Sequence, residues 1–89
     1  MRLRGTRAQI GDAFSIVLPA FSVGLDYWQR KLEQAIFEKW GHRVSVEFET
    51  NIHPVELGRS VYGTMETVTG VFITIENEDE AVEFKLRYL

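Results

Sequence analysis

Val44-Ser45-Val46-Glu47-Phe48-Glu49, Gly70-Val71-Phe72-Ile73-Thr74-Ile75-Glu76 and Val82-Glu83-Phe84-Lys85-Leu86-Arg87-Tyr88 carry an apolar side chain at every second position. Apart from Phe72, charged or hydroxyl residues fill the places between. A repeat of two is the signature of a strand with one buried face, because successive side chains point to opposite sides of the pleat. Each segment also sets at least one glutamate on the side away from its apolar row. The pattern predicts a sheet with one oily face and one acidic face.

Outward from these segments, the clearest helix spans residues 24–40. Leu25, Trp28, Leu32, Ala35, Ile36 and Trp40 recur at spacings of three and four, Ser22 is a candidate N-cap, and Gly41 supplies a C-terminal stop. Residues 13–21 fit two templates. Phe14, Ile16 and Leu18 alternate as a strand, whereas Ile10, Phe14, Val17, Leu18 and Phe21 make a helical stripe; β-branched and aromatic content favours the strand. Residues 1–12 read as a solvated, flexible N-terminal arm, with an edge strand as the alternative. Pro54 is expected to break the strand begun at residue 42, Gly63 to mark a bulge or twist in a strand over 59–68, Thr69-Gly70 to form a turn, and residues 77–80 to form a hairpin loop before a last strand over 81–88. The fold class that follows is α+β. One long amphipathic helix packs on an antiparallel sheet of four strands, a fifth being available from the N-terminal segment, with meander connectivity in a single domain, residues 1–89.

Composition narrows the functional classes. Eighty-nine residues, 45% of them apolar, suffice for one core and leave no room for a separate catalytic domain. The absence of cysteine removes disulfides, thiolate zinc sites and thiol nucleophiles, and fits a reducing cytoplasm. The apolar stretch from Ala13 to Leu25 follows a basic start, yet Asp12 interrupts the join and no small-x-small cleavage site follows, so neither a secretory signal nor a membrane span is expected. The net charge of −3 conceals an asymmetry. Residues 1–43 hold seven basic and four acidic side chains, net +3, and residues 44–89 hold three basic and nine acidic, net −6.

Catalytic and cofactor chemistry finds little footing. His42 and His53 are separated by a predicted strand, Glu76 to Glu80 lacks the length and glycine of a calcium loop, and no nucleophile elbow or phosphate-cradling glycine motif occurs. The sequence therefore predicts no enzyme, no metal and no cofactor. Binding fares better. An outward set of Glu47, Glu49, Glu66, Glu76 and Glu83 around Phe72 resembles an aromatic anchor inside a polar rim. The leading expectation is a small adaptor or inhibitor docking this acidic face on a larger protein with a basic surface, such as one that handles nucleic acid. A homodimer through the sheet face or residues 13–21 is a further expectation. The alternative is a nucleic-acid or assembly protein contacting phosphates through Arg2, Arg4 and Arg7, which an acidic chain favours less. Phe72 is the deciding residue: covered by its own chain, it leaves the acidic face without an anchor.

Overall fold

The computed structural model describes all 89 residues as three helices and a three-stranded antiparallel sheet. In chain order the elements are β1 (Arg2–Gly5), α1 (Arg7–Phe14), α2 (Leu25–Trp40), β2 (Ser45–Gly58), β3 (Val61–Thr74) and α3 (Glu78–Tyr88). The strands lie in the order β1-β3-β2, so β3 is central and pairs directly with both others, and the expected meander does not hold because β1 adds to β3 rather than to β2. Leu3, Ile73 and Val46 sit side by side in register, as do Gly5, Val71 and Phe48. This inner face and the helices enclose one core of 15 buried residues, with Ile10, Leu32, Ile36 and Phe84 fully buried in it.

The α+β class and the helix of residues 24–40 stand, with Leu32, Ile36 and Trp40 buried and Gly41 closing α2 at φ 90°. The cap at its other end is Gly24, not Ser22. The count of four or five strands does not stand. Residues 81–88 are helical, because Ala81, Phe84 and Tyr88 form a stripe at i, i+3 and i+7 that fits α3 as well as the alternation fits a strand. Val82 and Leu86, which produced the alternation, are exposed. Local chemistry decides the matter: the Asn77 side chain caps the Glu80 amide at 3.1 Å, three acids follow in the first turn, and Lys85 and Arg87 occupy the last.

The N-terminal expectations change too. Residues 2–5 are a sheet strand and residues 7–14 a helix, opened by a capping box in which Thr6 and Gln9 exchange side chain to backbone bonds of 3.1 and 2.9 Å. Residues 13–21 form neither a strand nor a continuous helix. Ser15 turns the chain at φ 53°, and residues 20–22 then lie along the edge of β3, where Val68 donates to Ala20 at 2.8 Å and Ser22 donates to Glu66 at 3.0 Å.

The strand begun near residue 42 runs through Pro54 to Gly58, and the two strands expected over 59–68 and 71–76 are one, β3. Pro54 is tolerated because β2 is an edge strand. Thr69 is an extra residue in the ladder, a bulge rather than a turn: Glu49 pairs with Gly70 and Thr50 with Val68. Gly63 is no bulge. It clears the space occupied by Leu57, whose Cδ1 would lie 2.8 Å from a Cβ at that position.

Beyond the bulge, residues 51–67 pair only with each other and, at the base, with residues 20–22. No core residue comes from this stretch. It projects as a two-stranded arm, giving the molecule dimensions of 53 × 20 × 19 Å. Its radius of gyration is 15.1 Å, against about 12 Å for a compact domain of this length.

Candidate functional site

The outer face of the sheet unites the two groups that the sequence set in competition. β1 delivers Arg2 and Arg4, β2 delivers Glu47 and Glu49, and central β3 places Phe72 and Gly70 between them. Each arginine reaches diagonally across β3. Arg4 Nη2 and Nε donate to Glu49 Oε1 and Oε2 at 2.8 and 3.3 Å, a bidentate pair. The crossing is possible because residue 70 has no side chain, a Cβ there lying 3.0 Å from Arg4 Nη2. Arg2 Nη2 lies 3.6 Å from Glu47 Oε2, and its guanidinium sits 3.8 Å from the Phe72 ring centroid. Phe72 is thus half-buried beneath its own chain's arginine.

The four charges on this face cancel, so its electrostatic attraction for a basic partner is weak. Thr69 completes the array, its hydroxyl donating to Glu49 Oε1 at 2.9 Å. The hydrogen bonds from Arg4 and then from Thr69 hold the Glu49 carboxyl below its ordinary value, and the hydrogen bond to Glu49, with its charge, raises the Arg4 guanidinium. A folded value below the unfolded one means that the pair adds stability above the unfolded carboxylate value and loses it as pH falls through the folded one. In a carboxyl-resolved NMR titration, Glu49 is expected to titrate below the usual glutamate range. In Arg4→Gln its midpoint should rise toward that range.

The remaining expected residues are dispersed. Glu83 is on α3, where its Oε1 accepts from Trp40 Nε1 at 3.0 Å and lies 3.9 Å from Arg87. Glu76 stands exposed between β3 and α3, beside an open cleft of about 370 Å³ that Arg43 and Glu80 also line. Arg7 is half-buried in the first turn of α1. Glu66 is on the arm, on the side that continues the inner face, directly opposite Ile52. His42 pairs with Glu80 at 3.1 Å and stacks on Trp40, whereas His53, on the arm, meets Thr67 at 3.0 Å. No three metal-ligating side chains converge, and no helix is long and apolar enough to cross a membrane.

The arm itself was not anticipated. On its inner-face side, Tyr62 pairs directly with Glu56 and Ile52 with Glu66. Tyr62 is 71% and Ile52 68% exposed, and neither carboxylate has an ion-pair partner. The opposite side is uncharged: Phe21, Met65, Val55, Leu57 and Val61 share it with Asn51, His53 and Thr67. A usable sequence signal lay in residues 44–76, which hold no Lys and a single Arg, at 59, so that apolar side chains dominate a ribbon too long to be covered by an 89-residue body. Comparison of the chain with family models, curated proteins and solved structures finds no significant match.

Proposed function

We propose that the protein is a non-catalytic interaction module, an adaptor or inhibitor, that docks the inner-face side of its projecting arm on a basic site of a larger partner. The observation that carries this reading is the pairing of Tyr62 and Ile52, each more than two-thirds exposed, with Glu56 and Glu66. A large apolar group amid unpaired carboxylates offers both burial and charge attraction to a cationic surface. Tyr62 takes the anchor role first assigned to Phe72, because Phe72 lies beneath Arg2. The same ion pairs occupy Arg2 and Arg4, which lowers the case for a phosphate-contacting N-terminus.

The test compares proteins that co-purify with the full chain from its native host. Tyr62→Ala and Glu56→Lys are expected to abolish capture of a specific partner, and capture should weaken as salt rises. Glu47→Lys, on the ion-paired face, should retain it. A variant in which Asn-Gly replaces residues 52–66, joining the paired residues Asn51 and Thr67, should keep a cooperative melt, since the core lies outside that stretch, and should capture nothing. Capture that persists without the arm would sink the proposal.

A further inference from the structure

The uncharged side of the arm calls for a different occupant. Over its whole length, from Phe21 at the base to Val61 at the tip, this side bears no Asp, Glu, Lys or Arg. Phe21, Leu57 and Val61 on it are 51%, 68% and 55% exposed. A two-stranded ribbon standing alone in water is marginal, so a row of this kind is stabilised by whatever covers it.

We infer that a second copy of the chain covers it, the two arms packing face to face and antiparallel about a twofold axis. Area is the first argument. The chain exposes 6041 Å², whereas a compact monomer of this mass exposes about 5,350 Å². The excess, about 700 Å² over both sides of the arm, is of the order of the roughly 800 Å² that each partner contributes to a stable interface. Self-complementarity is the second. A twofold axis near the middle of the arm sets the tip residues Leu57 and Val61 of one protomer against the base residues Phe21 and Met65 of the other, apolar on apolar at both ends. With no charge on this side, a symmetric contact brings no like charges together. That is the composition of a homodimer interface core and offers little to steer a foreign charged partner.

Edge-to-edge pairing through β2 is a poorer route to the same dimer. The free edge of β2 carries Glu47, Glu49, Glu56 and Pro54 and no basic residue, which opposes strand addition by another copy. The dimer goes beyond the partner-docking reading and uses the other side of the arm. The inner-face side, with Tyr62, stays open in it.

The experiment is light scattering or sedimentation on the full chain across a range of concentrations, in parallel with the capture assay. The wild-type chain is expected at twice its 10.3 kDa mass. Leu57→Asp and Met65→Glu are each expected to weaken the dimer at least about tenfold, because each buries an unpaired charge in an apolar contact. Tyr62→Asp, on the opposite side of the arm, should leave it dimeric. Circular dichroism confirms that the variants fold, both mutated side chains being accessible in the isolated chain. A wild-type monomer at high micromolar concentration overturns the dimer, as does a dimer indifferent to both Leu57→Asp and Met65→Glu. A monomer whose partner capture still depends on Tyr62 overturns the dimer alone. A dimer whose capture ignores Tyr62 and Glu56 overturns the docking reading alone.

Discussion

Phe84→Ala is expected to remove most of the stability of the fold. Phe84 is fully buried, with ring centroids of Phe14, Trp40 and Tyr88 at 5.9, 5.1 and 5.0 Å, so it joins α1, α2 and α3 into one aromatic cluster. Truncating a buried phenylalanine costs about 3–5 kcal/mol through lost transfer energy and the cavity left behind. A chain this small should start near the low end of about 5–15 kcal/mol. Urea denaturation followed by circular dichroism should show a large fall in midpoint, and the melting temperature should drop by at least about 12 °C. Leu86→Ala provides the contrast. Leu86 is 83% exposed on α3, and the change should stay within about 0.5 kcal/mol. In a strand over 81–88, Leu86 would face the core beside Phe84, and the two substitutions would be comparably damaging.

Ile73→Ala and Ile52→Ala should differ just as sharply, although both isoleucines belong to one hairpin. Ile73 is fully buried in the central strand, in register with Leu3 on one side and Val46 on the other. Its truncation is expected to cost about 2–5 kcal/mol and to loosen both flanking strands. Ile52 is 68% exposed on the arm, and its truncation should change the stability of the isolated chain by less than about 0.5 kcal/mol. The same change should weaken partner capture, because Ile52 lies beside Glu66 on the docking side. Equal losses at the two positions would mean that the arm folds back on the body.

The sequence announced some of this directly. Leu32, Ile36 and Trp40 recur at helical spacing and are buried as expected, since α2 needs only a local period and a stop at Gly41. Val46, Phe48, Val71 and Ile73 alternate and lie on the inner face for the same reason. Residues 82–88 satisfied two periods at once, and alternation could not separate them. Asn77 with three acids behind it, and Lys85 with Arg87 at the far end, carried the helical answer in their capping and dipole chemistry. The outer face was less legible because its contacts are non-local. Arg4 and Glu49 are 45 residues apart, and they meet only once β1 is placed beside β3 and residue 70 is bare. Alternation likewise identifies strands without revealing whether anything covers them, so the arm is not legible in it.

The bulge at Thr69 has a mechanical consequence. It sits where the supported sheet ends, and Glu49 there receives both the Arg4 guanidinium and the Thr69 hydroxyl. The eight residues from Asn51 to Gly58 extend about 27 Å beyond that point at the usual rise of a strand. A ribbon clamped at one end is a lever, and a rotation of about 10° at the clamp sweeps the tip through about 5 Å at that rise. Three side chains at the pivot thereby set the aim of Tyr62 and Leu57 at the far end. Protonation of Glu49 would remove from that pivot the carboxylate that both Arg4 and Thr69 address.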